Sequence, residues 1–306
     1  MKMIRSILVP LDGSSFAEHA LPLALGLARR HDAAVHLAMV HVPITTAYID
    51  GVAHFDPSLD NEIRERERRY LDAVAERLEG SGIAATTALL DGPVVGMLEA
   101  EARERHADVI VMSTHGRGGL SRAWLGSVAD ALVRRAPAPV LLVRPKEGEE
   151  AALEAVTAFR RILVPLDGSA LAEEAIGYAL AVGDRASTRY TLLRVVIPAL
   201  VVGSPFIEPG VHIADEDLEE QMEAARRYLD RVAERLRRDG ADVDTVVVAH
   251  PSPAAAILEL ADSEGADLVC LATHGRTGLS RILLGSVADK VLRAATTPVL
   301  LCRSAH

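Results

Sequence analysis

Aromatic residues are scarce in this 306-residue chain: four Phe, five Tyr and one Trp, 3% of the total. So few rings cannot form a platform on which successive nucleic-acid bases stack. Basic charge is short too. The 33 Lys and Arg stand against 43 Asp and Glu, a net charge of −10, and such a surface repels a phosphate backbone, so no nucleic-acid partner is expected. No apolar run approaches the ~20 residues that cross a bilayer, so no membrane partner is expected either. The apolar stretch after Met1-Lys2-Met3-Ile4-Arg5 stops at Asp12 with no small-residue cleavage site behind it, too short for a secretory signal. These absences give the expectation of a soluble, cytoplasmic protein. Cys270 and Cys302 are the two cysteines, both inside apolar runs, and they read as buried strand residues rather than a disulfide or metal pair. The 11 histidines show no metal-ligand spacing. A Gly-x4-Gly-Lys-Ser/Thr phosphate loop is missing, and no Gly-x-Gly-x-x-Gly follows the first apolar run.

What the chain does have is a duplication. Ile7-Leu8-Val9-Pro10-Leu11-Asp12-Gly13-Ser14 recurs unchanged as Ile162-Leu163-Val164-Pro165-Leu166-Asp167-Gly168-Ser169. Thr114-His115-Gly116-Arg117 recurs as Thr273-His274-Gly275-Arg276, and Leu125-Gly126-Ser127-Val128-Ala129-Asp130 as Leu284-Gly285-Ser286-Val287-Ala288-Asp289. A repeat this long is a whole domain rather than a solenoid unit. The domains expected are residues 1–145 and 159–306, joined by a charged linker over 146–158.

Each copy alternates strand and helix signals. In the first, Ile4–Pro10, Val35–Val42, Ile83–Leu90, Val109–Ser113 and Pro139–Val143 are apolar runs suited to strands buried on both faces. Helical patterns fill Phe16–Arg30, Leu59–Glu79, Val94–Arg105 and Val128–Arg135, with a loop bearing Pro43, Gly51 and Pro57 before the second of them. The Arg/Glu run from Arg64 to Arg69 reads as that helix's solvated face. The fold class expected is α/β, two tandem copies of a five-stranded, doubly wound parallel sheet with right-handed crossovers. Such sheets bind ligands beyond the carboxyl ends of their strands, where strand order reverses. The repeated blocks fall at those ends.

In the block after the fourth strand, loop glycines Gly116 and Gly119 precede Gly126-Ser127 at a helix start, and Gly275, Gly278 and Gly285-Ser286 match them. Helix-start N–H groups beside loop glycines form an anion cradle, and Gly126 lets a phosphate come close; the competing reading is a turn capped by a serine. Ser127 with Asp130, and Ser286 with Asp289, resemble capping boxes. Asp12 and Asp167, just past the first strand of each copy, can hold Mg²⁺ against phosphates or accept from a ribose; otherwise they serve N–H groups of the following helix. His115 and His274 have no nucleophile and carboxylate paired with them in sequence and read as loop donors, so no catalytic residue is assigned. Arg117, Arg122, Arg276 and Arg281 are candidate phosphate contacts with surface salt bridging as the alternative. Trp124 has Leu283 at its place in the second copy and reads as packing.

With these blocks the chain resembles a tandem universal stress protein over nearly its whole length. The nucleotide-binding members of that family carry Gly-x2-Gly-x9-Gly-Ser/Thr after the fourth strand. Here Gly116 and Gly126-Ser127 match its second and third glycines, as do Gly275 and Gly285-Ser286, while Ser113 and Ala272 stand at the first. The resemblance implies a Rossmann-like, adenine nucleotide alpha hydrolase-like fold. It also implies that Pro10, Asp12 and Val42 contact nucleoside and ribose, with Pro165, Asp167 and Val195 as their matches. Met112 and Leu271 would line the adenine side, and the cradle would use Val128, Ala129, Val287 and Ala288 beside the Gly-Ser pairs. The cofactors implied are ATP, or AMP or ADP, with Mg²⁺.

The function expected is an ATP-binding stress-response regulator with one nucleotide site per domain, slow hydrolysis at most, and an unidentified protein partner. Its alternative is a structural or partner-binding module that holds no nucleotide. An adenylating or pyrophosphatase enzyme would need a Ser-Gly-Gly-x-Asp-Ser-like loop after the first strand, which Leu11-Asp12-Gly13-Ser14-Ser15 is not. Val140-Leu141-Leu142-Val143 and Val299-Leu300-Leu301-Cys302 are apolar last strands, an edge that invites pairing if left open, and the resemblance implies that single-domain relatives dimerise through this strand. An intrachain pseudo-dimer is therefore expected, with a homodimer of the whole chain as a further arrangement.

Overall fold

The computed structural model describes residues 3–43, 45–49, 52–55, 57–114, 125–145, 159–185, 187–198, 215–272 and 284–302. They fall in two compact units, Met3–Thr157 and Ala158–His306.

In the first unit, five parallel strands lie in the order β5-β2-β1-β6-β7: β1 (Ser6–Pro10), β2 (Ala34–His41), β5 (Ala85–Asp91), β6 (Val109–Ser113) and β7 (Val140–Val143). Continuous apolar runs suit strands covered on both faces, and every residue of β1 and β6 is buried. Helices α1 (Ser15–Glu18), α2 (Leu21–His31), α3 (Pro57–Glu79), α4 (Val94–Glu104) and α5 (Ser127–Arg135) make the crossovers. The second unit repeats the order as β10-β9-β8-β11-β12, with β8 (Arg161–Pro165), β9 (Arg189–Val196), β10 (Asp242–Ala249), β11 (Leu268–Ala272) and β12 (Val299–Cys302). Its helices are α6 (Ala170–Val182), α7 (Asp215–Arg238), α8 (Pro253–Ser263) and α9 (Ser286–Ala294). Each unit is thus the expected doubly wound parallel α/β sheet. Cys270 and Cys302 are buried free thiols in β11 and β12, their sulfurs 3.7 Å apart.

Four local features depart from the sequence expectation. The helix expected over Phe16–Arg30 breaks at His19 and Ala20, because Pro22 in the first turn of α2 has no N–H to give to an earlier carbonyl. In the second copy Gly177 stands at the corresponding place and α6 is continuous. The loop after β2 contains an antiparallel pair, β3 (Thr45–Ile49) with β4 (Val52–Phe55); the intervening Asp50-Gly51 is a two-residue hairpin signal. The capping boxes are absent. The caps of α5 and α9 are Gly126 and Gly285, Ser127 and Ser286 are already the first helical residues, and Asp130 and Asp289 pair with Arg134 and Arg293 one turn on.

The Arg64 to Arg69 run is not a fully solvated face. Asp60 and Glu67 are buried and Arg64 is half-buried. They continue, at intervals of three and four, the inward stripe of Leu71, Val74 and Leu78.

Candidate functional site

Strand order reverses between β1 and β6 in the first unit and between β8 and β11 in the second. All strands of a unit are parallel, so Pro10, Asp12, Met112 and Ser113 lie at one end of the sheet, as do Pro165, Asp167, Leu271 and Ala272. Just past β1 the chain turns sharply: Gly13 has φ +81° and Gly168 φ +82°, where a Cβ is strained. Asp12 Oδ1 accepts from the Ser14 N–H at 3.0 Å and the Ser14 hydroxyl at 2.6 Å, and Ser14 Oγ in turn caps α1 by accepting from the Ala17 N–H. Asp167, Ser169 and Ala172 repeat the arrangement at 2.9, 2.6 and 3.1 Å. The carboxylate therefore serves its own turn while sitting beside the switch point.

The start of α5 is tied to the end of β6. Thr114 N–H donates to Val143 O, and Gly126 N–H donates to Thr114 O at 2.8 Å. The first intrahelical bond of α5 is made by Asp130 N–H to Gly126 O, so the amides of Ser127, Val128 and Ala129 precede the helix's own ladder. In α9 the first bond runs from Asp289 N–H to Gly285 O, which leaves Ser286, Val287 and Ala288 in the same position. Three such amides at the positive end of a helix dipole suit an anion. His115, Gly116, Gly119, His274, Gly275 and Gly278 lie outside the described residues, as do the loop arginines and Trp124.

The two units diverge beside this end of the sheet. In the first, His41 at the end of β2 is fully buried between two carboxylates: Nδ1 lies 2.7 Å from Glu67 and Nε2 2.8 Å from Asp60, both on α3. Arg64 joins Asp60 at 2.8 Å to Asp91 of β5 at 2.6 Å. Burial pulls the His41 pKa down, but its hydrogen bonds to Glu67 and Asp60 outweigh burial and hold it above its ordinary value. Only an imidazolium can donate to both carboxylates. Asp60 is held below its ordinary value, first by Arg64 and then by His41, against burial.

The second unit supplies the comparison. Pro10 pairs with Ala38 and Pro165 with Leu193, which places Val196 where the first unit has His41. Tyr70 and Arg77 of α3 gather on Glu18 as Tyr228 and Arg235 of α7 gather on Glu173. Counting back from the tyrosines sets Leu218, Met222 and Ala225 at the places of Asp60, Arg64 and Glu67. Ala249 takes the place of Asp91, since it pairs with Val196 as Asp91 pairs with His41. The whole ionised cluster has become apolar. Between the end of β9 and α7 lies a cavity of about 510 Å³. Val195, Val196, Ile197, Ala224 and Ala225 form its apolar wall, and Arg194, Gln221 and Tyr228 bring its polar groups.

The same register corrects the matching of the copies. Val42 corresponds to Ile197, each 56% exposed just past its strand, rather than to Val195. Arg194 corresponds to Met39. The His41 cluster escaped the sequence reading, although the helical stripe from Leu78 back through Leu71 points at Glu67, Arg64 and Asp60.

Among the described residues no group of three or more His, Cys, Asp or Glu converges as a metal site, and no helix is long and apolar enough to cross a membrane. A family model described as "Universal stress protein family" matches residues 3–144 and again 158–303. A universal stress protein of Mycobacterium tuberculosis is 31% identical over 283 residues, spanning 88% of this chain and 90% of that protein. One from Mycolicibacterium smegmatis is 31% identical over 305 residues, 97% of this chain and 96% of its own length. In fold, a crystallised universal stress protein of Archaeoglobus fulgidus matches 98% of this chain and 97% of its own, with a TM-score of 0.67 at 21% identity. The chain belongs to the universal stress protein family, and it carries the family's domain twice in tandem.

Proposed function

We propose that the protein is an adenine-nucleotide-binding regulator with one site per unit, and that nucleotide occupancy biases its binding of a protein partner. The observation that carries this reading is the duplicated juxtaposition at each switch point: a strand-end aspartate, the small residue Ser113 or Ala272 closing the fourth strand, and a helix start whose first amides precede its own hydrogen-bond ladder. The nucleoside would lie toward Pro10, Asp12, Val42 and Met112 in the first unit, and toward Pro165, Asp167, Ile197 and Leu271 in the second. The phosphates would meet the amides of Ser127 to Ala129 and Ser286 to Ala288.

Each site offers one strand-end carboxylate, and its Oδ1 already accepts from Ser14 or Ser169. Mg²⁺ fits as an ion carried chiefly by phosphates and water, with Asp12 or Asp167 as its protein ligand. When bound it would supply charge neutralisation for the phosphates. An aspartate held this way is poorly placed to activate water, so turnover is expected to be slow or nil.

A second reading, a partner-binding module without nucleotide, draws on the same Asp-Ser turns, which explain the repeated block without any ligand. Replacing Gly126 and Gly285 by valine separates the two. Both glycines have extended backbone that any residue adopts, with φ −58° and −59°, so the chain path survives while a side chain enters the phosphate approach. The nucleotide reading expects calorimetric ATP affinity to fall at least tenfold in the double variant. Unchanged affinity, or no ATP binding by the parent, would favour the module.

A further inference from the structure

Residues 42–59 leave β2 at the candidate nucleoside contact Val42 and fold back through the β3–β4 hairpin to enter α3. The His41 cluster fastens both ends of this segment. His41 stands immediately before it, and Asp60, in the first turn of α3, stands immediately after it, 2.8 Å away. Glu67, two turns along α3, holds the other ring nitrogen at 2.7 Å, and Arg64 carries the tie from Asp60 to Asp91 of β5. Both ring nitrogens thus face carboxylates, which only an imidazolium satisfies. A neutral ring keeps one N–H and turns a lone pair on the second carboxylate, an arrangement that burial makes costly. Histidine changes charge nearest neutral pH. Val196, Leu218 and Ala225, at the matching places of the second unit, have no proton to lose.

We propose that the His41–Asp60–Glu67 cluster is a pH-operated clamp on residues 42–59, closed by the imidazolium and opened when the ring loses its proton. Closed, it fixes Val42 for a ligand of the first unit; open, it weakens binding there and leaves the second unit unchanged. The ligand's identity rests on the nucleotide reading, while the clamp itself rests on the ion cluster. Around His41, α3 brings Asp60, Glu67 and Arg64, and β5 brings Asp91 through Arg64. Strand β1 has no ionisable side chain, and Glu101 of α4 and Arg105 at its end act on His36, near the start of β2. The basic last turn of α2, with Arg29, Arg30 and His31, precedes that same start. Burial and Arg64 favour the neutral ring, but the bonds to Glu67 and Asp60 outweigh them. The clamp is therefore complete below the ordinary 6.5 and is lost as pH rises through the raised value.

The full chain is first titrated without ligand from about pH 6 to about pH 10, with the His41 ring and the Val42 and Ile197 methyls followed by NMR. His41 is expected to titrate above 6.5, the Val42 methyls to move with the same midpoint, and the Ile197 methyls to ignore it. Val42 methyls that stay put while His41 titrates overturn the clamp, as does a His41 midpoint at or below 6.5. MgATP is then titrated on either side of the midpoint, with Val42 reporting the first site and Ile197 the second. The first affinity should fall about fivefold or more relative to the second, which serves as the control for the titration of ATP itself. In the His41→Val/Asp60→Leu/Glu67→Ala variant the ratio of the two affinities should not change with pH, and a ratio that still falls overturns the clamp. The parent alone decides the question if that variant fails to fold. Absence of MgATP binding overturns the nucleotide reading alone, since the ligand-free titration judges the clamp. Binding at both sites with a constant ratio in the parent overturns the clamp alone.

Discussion

At the scale of single residues, the repeated Asp-Gly-Ser block is built as a turn before it is anything else. Gly13 and Gly168 hold positive φ, and the preceding aspartates fix the serine caps of the following helices. Gly168→Ala is therefore predicted to destabilise the second unit by about 1 kcal/mol, read by denaturant unfolding; no loss would show that the turn tolerates a side chain. Asp12→Ala and Asp167→Ala should each lower the nucleotide stoichiometry by one while costing about 1 kcal/mol of stability through the freed serine. Two unaltered sites by calorimetry would remove the aspartates from the candidate set. The block itself was legible because it occurs twice. Its internal bonding was not, since residue types alone do not say whether a strand-end aspartate turns to its own chain or to a ligand.

At the scale of elements, α3 in the first unit is docked through charge where α7 in the second is docked through apolar contact. Removing one partner, as in Glu67→Ala, leaves buried charge uncompensated and should cost about 3 kcal/mol. The three-residue exchange His41→Val/Asp60→Leu/Glu67→Ala, which copies the second unit, should cost less than that single change. The cluster also sets a pH window. His41 has a pKa above its ordinary 6.5 in the folded unit, so its contribution is complete below that value and is lost as pH rises through the raised one. Asp60 has a pKa below its ordinary 3.8, so its contribution is present above that value and is lost as pH falls through the lowered one. Hydrogen exchange of α3 amides should accelerate above neutral pH in the parent beyond the intrinsic rate, and should not in the three-residue exchange. Equal pH slopes in both would contradict the account. The sequence showed the helix well, Leu59–Glu79 against the observed Pro57–Glu79. It misled about which face lies inside, because polar residues at inward positions look like surface until their strand partner is known. Strand β2 has the opposite history: its run was plain, while the meaning of His41 depended on side chains 19 and 26 positions away.

At the scale of the whole molecule, duplication has preserved one framework and altered its walls. Strand order, the Asp-Ser turns, the Gly caps and the Tyr-Glu-Arg clusters recur in both units. The residues between the second strand and the long helix do not. Doubly wound sheets are legible from alternating apolar runs and helical stripes, so the fold could be read from sequence nearly throughout. The divergence could not, because it rests on register: matching Val42 with Val195 instead of Ile197 hides the replacement of His41 by Val196. On the proposed nucleotide reading, two equivalent helix starts with unlike side walls should bind the same nucleotide class with different affinities. Native mass spectrometry of the full chain with ATP and Mg²⁺ tests this central claim most directly. Two sequential nucleotide additions per chain are predicted, with one remaining in either Asp12→Ala or Asp167→Ala and none in the Gly126→Val/Gly285→Val double variant. A parent chain that takes up no nucleotide under the same conditions would contradict it.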